Sequence, residues 1–527
     1  MSTLNSMLDR SAQEGGERTF LVHEGRELSF AAVYSEVLSV AEGLRRRGIR
    51  KGDRVAVVHR NAPEFVIAYF AINRLGAIAV PINFMVQKAD ELAYMLKDCG
   101  AAGVVTQTEF LPGLTGAVAR CPALKALWVT DYEPKPGAPS VVRGYEELRA
   151  PAAAGPASDP SLETDVAAIL YTSGTTGFPK GVMLTHRNLV TNCESSIKRI
   201  TLTRKDVTLC ILPMFHSFAW TAIVLTSTRL TLKCVISSAI APPKPWLKAM
   251  GTHGVTLYAA VPQVYAALAR ESRYWKTRLF LRFWSFRKVR VAASGAAPLP
   301  VAVAKAFAAA VGVDITEGWG LTETSPVATI GSPGALKIGF VGTPIDGCRL
   351  KIVDDDENTL PLGAEGEICV QGDNVMKGYW NLPDATRDAF TKDGWLKTGD
   401  VGLIDPDGYL AIRDRKKDMI IVKGLKVFSA QVEAILAENP NIEESAIVGV
   451  PDEDGDETIK AFVVLKKGCC IDKSALLQYF REKLDGYKRP RDVEIVESLP
   501  KNALQKVLKR ELREREMSKR TGAAGKT

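Results

Sequence analysis

A chain of 527 residues is too long for one hydrophobic core and implies at least two domains. Hydrophobic residues make up 46% and charged residues 24%, the balance of a globular protein and not of a disordered or fibrous one. The net charge of +8 suits acidic ligands such as ATP, CoA or an anionic membrane surface; it is too small to argue for nucleic acid, and no zinc-finger, homeodomain or RNP-type pattern is present.

The segment from Met1 to Gly16 is polar and lacks the apolar core of a leader. Behind Ser29, a capping residue, Phe30, Val33, Val37, Ala41 and Leu44 recur at helical spacing. A strand at Arg54 to Val58 follows, then a helix around Glu64 to Leu75 and an apolar run from Ala77 to Val80. A helix around Ala89 to Lys97 and a strand from Gly103 to Thr106 continue the alternation. Helices alternating with short apolar strands predict an α/β sheet covered on both faces, and nothing before residue 160 carries obvious chemistry. Residues 134–139 and 151–160 are rich in Pro, Ala and Gly and read as surface connections. The nine cysteines are scattered without a Cys-x-x-Cys, which fits free thiols in a reducing cytosol; five histidines argue against a His-rich metal site.

At Val166 to Leu170 an apolar run of strand length leads into Tyr-Thr-Ser-Gly-Thr-Thr-Gly-Phe-Pro-Lys-Gly-Val, residues 171–182. Thr172, Ser173, Gly174, Thr175, Thr176 and Gly177 expose hydroxyls and backbone N–H groups without bulk, and Lys180 adds a fixed cation. A polyphosphate needs that set. Lys180 is followed by Gly181 and not by Ser or Thr, so this is not the usual P-loop. The stretch resembles the phosphate loop of the acyl-adenylate-forming superfamily: acyl-CoA synthetases, above all long-chain fatty acid–CoA ligases, with peptide-synthetase adenylation domains and luciferases.

The family's further motifs follow in order. Leu212-Pro-Met-Phe-His-Ser-Phe-Ala-Trp220 resembles the acyl-site segment. The resemblance implies that His216 lines the acyl site and that Trp220 gates a fatty-acyl tunnel. The apolar stretch from Thr221 to Ile240 is interrupted by Arg229 and Lys233 and reads as buried structure, not a membrane span. From Arg273 to Arg290, cations interleave with Tyr274, Trp275, Phe280, Phe283, Trp284 and Phe286. At helical spacing Trp275, Leu279, Phe283 and Phe286 share a face. The segment reads either as a membrane-interface helix or as a core-packed helix with solvated charges. Phe280, Leu281 and Trp284 fall off the main face, which favours the second.

Ser294-Gly295-Ala296-Ala297-Pro-Leu and Glu317-Gly318-Trp319-Gly320-Leu-Thr322-Glu323-Thr resemble the two segments that enclose adenine and the adenylate phosphate. Trp319 stands where the family usually has Tyr. Thr322 matches the α-phosphate contact and Glu323 the carboxylate that holds Mg²⁺. Asp400, in Trp395-Leu-Lys-Thr-Gly-Asp400, and Arg415 match the ribose contacts, and Lys417 the hinge pivot. Asp405-Pro-Asp-Gly408 between them is a hairpin turn. Lys423-Gly424 resembles the loop that swings in beside the pantetheine of CoA, and Lys506 matches the catalytic lysine of adenylation. Three departures stand out: Ser429 in place of Pro, Gln431 in place of an acidic residue, and Gln505 in place of Gly. Residues beyond Leu512 are charged or Gly/Ala-rich and read as a solvated, partly disordered end.

The resemblance therefore implies an α/β fold, with a large N-terminal domain of mixed sheets and flanking helices over 1–414 and a small α+β C-terminal domain over 415–527. It implies an ATP-dependent, AMP-forming fatty acid–CoA ligase using Mg²⁺, with CoA as co-substrate. Three alternatives stay open: a carrier-protein acceptor, an aryl acid, or a degenerate adenylate binder. Oligomeric state, with a homodimer as one outcome, and peripheral membrane contact of a cytoplasmic enzyme stay open too.

Overall fold

The computed structural model describes residues 3–524 apart from 135–136, 138, 152–158, 173–177, 423–424, 452–456 and 502–506. Two large sheets carry the first part of the chain. One has eight strands, with Arg54–Val58, Ile78–Pro81, Ala101–Thr106 and Val166–Thr172 among its parallel members. The other has nine, with Val207–Cys210, Leu257–Ala260, Val291–Ser294 and Ile315–Gly320 parallel at its centre. These strands are near-continuous apolar runs because both faces are covered by helices.

The predicted elements form where the pattern placed them. Ser29 accepts a hydrogen bond from the Ala32 N–H and caps the helix Phe30–Arg46, whose Val33, Val37, Ala41 and Leu44 are buried. The helix Pro63–Arg74 runs between the sheets and is buried on every side, so it shows almost no polar face. The stretch from Thr221 to Ile240 is buried helix and strand, and among the described residues no helix is long and apolar enough to cross a membrane.

A four-stranded antiparallel sheet follows, ending in Leu396–Ile404 and Leu410–Arg415 around the predicted turn, where Gly408 has φ 83°. Beyond Arg415 a separate apolar core begins at Ile420. It is built on the three-stranded sheet of Ile442–Pro451, Glu457–Leu465 and Asp492–Ile495. All nine cysteines are free, seven of them buried.

Two sequence readings are corrected. The end of the chain is not solvated coil: Lys509–Ala524 is a helix. Its Leu512 and Glu516 are buried, and Glu516 accepts a hydrogen bond from the buried Lys460 at 2.7 Å. Composition alone reads such a segment as disordered because its charge partner lies on a distant strand. The basic aromatic segment is not core-packed: Tyr274, Trp275, Leu279, Phe280, Phe283 and Trp284 are exposed, whereas Phe286 is buried.

Candidate active site

A cavity of about 510 Å³ opens between the two large sheets and the segment around Arg415. Thr172, Lys180, Gly295, Ala296, Gly318, Trp319, Gly320, Thr322, Glu323, Arg415 and Lys417 line it. Of the described residues singled out by sequence, Ala297, Asp400 and Trp220 are not on this wall. Residues 173–177 lie outside the described residues. Their flanks are fixed, because Val166–Thr172 and Lys180–Thr185 pair antiparallel and Thr172 stands opposite Lys180. Ala296 has φ 70°, a left-handed conformation that costs a non-Gly residue roughly 1–2 kcal/mol. At Gly320 a Cβ would fall 1.8 Å from the Pro326 carbonyl oxygen, so only Gly lets these strands approach.

Asp400 is buried, and both of its oxygens are engaged. The Trp319 indole N–H donates to Oδ2 at 2.8 Å, and Arg415 Nε pairs with Oδ1 at 2.9 Å. The second contact follows from register, since Asp400 and Arg415 are directly opposite across neighbouring strands. A tyrosine hydroxyl lies elsewhere on its ring than the indole N–H, so Trp319 gives this carboxylate a bond of its own.

Glu323 sits in the tight turn Thr322–Thr324. The turn is clamped by two buried amides: Asn192 and Asn374 both donate to the Thr324 carbonyl, at 3.0 and 3.1 Å. The Tyr379 hydroxyl donates to Glu323 Oε1 at 3.0 Å, and Lys180 Nζ lies 5.0 Å from the centre of the Tyr379 ring. Tyr379 thus links Lys180 to Glu323, and the sequence reading missed it. Its short strand pairs with Lys180–Thr185, a contact distant in sequence. The available signal was Gly378-Tyr379, where Gly378 has φ 143° and the tyrosine follows at once.

The same wall carries an apolar group: Ile200, Phe215, Phe218, Ala222, Leu257, Ala259, Val327 and Ile330. His216 joins it. The Phe218 N–H donates to His216 Nδ1 at 3.2 Å, which leaves the ring proton on Nε2. Burial lowers this imidazole to about 4, so it is neutral at pH 7. The loop before it is held by buried Asn61, which donates to the Leu212 and Ser237 carbonyls and accepts from the Met214 N–H. Sequence gave no sign of that clamp. Trp220 is not brought to the wall: it is 2% exposed and stacks on Tyr69 at 3.8 Å, behind the cavity.

Lys423, Gly424 and Lys506 lie outside the described residues. The surrounding hinge is legible nonetheless. Ser429 is buried, donates to Asp414 Oδ2 at 2.7 Å and accepts from Lys509 Nζ at 2.7 Å. Lys509 also pairs with Glu433 at 2.7 Å. A proline at 429 could not make these bonds, so this departure carries its own polar link between the strand Leu410–Arg415 and the helix Lys509–Ala524.

The chain belongs to the AMP-binding enzyme family. It matches that family over residues 8–380 and the AMP-binding enzyme C-terminal domain over residues 431–506. It is 34% identical to a long-chain-fatty-acid–CoA ligase of Bacillus subtilis (strain 168), over 98% of this chain and 94% of the relative. It is 35% identical to a feruloyl-CoA synthase of Amycolatopsis sp, over 97% and 99%. The crystal structure of the anthranilate CoA ligase AuaEII in complex with anthranoyl-AMP superposes with a TM-score of 0.88 at 28% identity, covering 97% of this chain and 96% of that one. The protein is an AMP-forming CoA ligase, and its relatives divide between alkyl and aryl acids.

Proposed function

We propose that the chain activates a medium- or long-chain fatty acid for lipid metabolism. In the first half-reaction the carboxylate attacks the α-phosphorus of ATP, pyrophosphate leaves and acyl-AMP forms. In the second the CoA thiol attacks the acyl carbon and AMP leaves. A carboxylate is a poor electrophile, because its charge repels nucleophiles and oxide is a poor leaving group; adenylation removes both obstacles. Such steps need positioning and charge stabilisation. Thr172 to Gly177 and Lys180 would meet the phosphates, Thr322 the α-phosphate, and Gly295, Ala296, Gly318, Trp319 and Gly320 the adenine. The Asp400–Arg415 pair would meet the ribose. Glu323 offers hard carboxylate oxygens on the cavity wall, which suits Mg²⁺ shared with the phosphates. That ion would neutralise phosphate charge. Lys506 would supply a further positive charge in the first step.

The observation that carries the fatty-acid reading is the apolar group on the cavity wall, Phe215, Phe218, Ala222, Leu257, Ala259 and Ile330. His216, neutral, borders the acyl group without charging the wall; Trp220 would act from behind, as the packed backing of a chain-length gate. We further read 1–414 and 415–527 as two domains that rotate about Lys417, so that Lys506 leaves and the Lys423–Gly424 loop arrives with CoA. The separate core beginning at Ile420 supports this division. Free cysteines suit a cytoplasmic setting.

One observation favours an aryl acid instead. The hydroxyls of Ser196 and Ser294 border the cavity, buried and without a partner among the described residues, and could meet a ring substituent. Acyl-CoA formation across acids from acetate to oleate, with benzoate, cinnamate and ferulate, tests the choice. A peak at medium or long alkyl chains supports the proposal. Activity confined to aryl acids overturns it.

A further inference from the structure

We propose that residues 274–284 form a docking surface for an anionic lipid bilayer. Trp275–Phe280 is a helix and Leu281–Ser285 a wider π-type turn. Two side chains fasten the segment to the body: Leu281 is buried, and buried Phe286 packs edge-on against Tyr258 at 5.1 Å and Phe307 at 5.3 Å. The wider turn changes the helical phase. Side chains that an ideal helix would put off the main face, Phe280 and Trp284, are therefore exposed along with those on it: Trp275 is 67% exposed, Phe283 65% and Tyr274 58%, and Leu279 is exposed too. Exposed large apolar groups in one run mark an interaction site, since single ones are normal and clusters are not.

Charge selects the partner. From residue 272 to residue 313 there is no Asp or Glu. Arg273, Lys276, Arg282 and Arg287 lie instead over the patch's own rings of Tyr274, Trp275, Phe283 and Trp284, at 5.6, 5.7, 5.9 and 5.2 Å. Adjoining helices add exposed Lys248 and Lys305, and Trp284 Nε1 donates to the Lys248 carbonyl at 3.4 Å. Aromatic rings interleaved with cations on a protruding helix match a headgroup layer, where rings sit at the interface and cations meet lipid phosphates. None of residues 273–290 lines the active-site cavity. The surface therefore places the enzyme and does not itself bind the substrate acyl group. Docking stands independently of the fatty-acid reading, although a substrate that partitions into bilayers would give it a purpose.

The test is sedimentation of the full chain, without nucleotide, with vesicles of phosphatidylcholine alone or mixed with phosphatidylglycerol. Binding to the mixed vesicles at low salt, lost at high salt and weak on phosphatidylcholine alone, is expected. Trp275→Ala with Phe283→Ala should weaken it at least about tenfold. Arg273→Gln, Lys276→Gln and Arg282→Gln together should weaken it about a hundredfold. ATP–pyrophosphate exchange with a short soluble acid should stay at the wild-type level in both variants, which shows that they fold. No binding to anionic vesicles at low salt overturns the proposal. So does equal binding by the aromatic variant, or a dimer in solution that the same variant dissociates.

Discussion

The polar and the apolar groups of the cavity are built on opposite plans. In the polar group the acidic side chains already have partners: Asp400, behind the wall, holds Trp319 and Arg415, and Glu323 holds Tyr379. The apolar group offers hydrocarbon, bordered by His216 and by the buried hydroxyls of Ser196 and Ser294, which have no partner among the described residues. A network with every member bonded is rigid and costs little reorganisation when charge arrives. An apolar wall discriminates by volume, and each methylene is worth only about 1–3 kcal/mol. The difference teaches that ATP chemistry and acid choice are separable here, so substitutions in one group should leave the other's kinetics alone.

The largest break in that separation should come from the charge delivered to the polar group. Lys506→Ala should slow adenylation roughly 10²–10³-fold while thioester formation from supplied acyl-AMP is nearly spared. Single-turnover assays of each half-reaction check this, and equal loss in both would remove Lys506 from its role. Gly424→Leu should do the converse, slowing thioester formation by about a hundredfold with pyrophosphate exchange intact. Loss of exchange in that variant would count against two alternating arrangements.

A smaller effect concerns stability. Burial holds His186 at about 4, against the opposing pull of Asp159 and Asp165. The unfolded chain binds this proton near 6.5 and the folded chain only near 4, so the unfolded state carries more protons between those values. Stability must therefore fall as pH drops through that window, by on the order of 3 kcal/mol for this residue. His216 adds a loss of the same sign. Urea unfolding from pH 7 to pH 4 should show the decline, and His186→Asn should flatten it. An unchanged slope in the variant would mean another group carries the pH dependence.

Sequence made the polar group legible because its residues are clustered in short motifs with local chemistry. Lys180, Thr322, Glu323 and Arg415, each singled out by pattern, line one cavity, and Asp400 stands opposite Arg415 across neighbouring strands. Tyr379, Asn61 and the Asn192–Asn374 clamp were not found, because each acts across strands far apart in the chain. The exposed aromatic face was misjudged for a different reason. An ideal helical period was applied to a segment that contains a π-type turn, which moves Phe280 and Trp284 outward and Phe286 inward. Trp220 was read from its motif alone, and the packing of Tyr69 against it could not be seen from there.

The most direct test of the separation is a crossed measurement of KM for ATP and kcat/KM for a series of fatty acids in two variants. Trp319→Phe keeps the ring but removes the bond to Asp400. It should raise KM for ATP about tenfold and leave the acid profile unchanged. Ala222→Leu should narrow the cavity at the apolar group, cutting kcat/KM for long acids at least about tenfold with KM for ATP unchanged. If each variant moves both constants together, the two groups are not independent and the account fails.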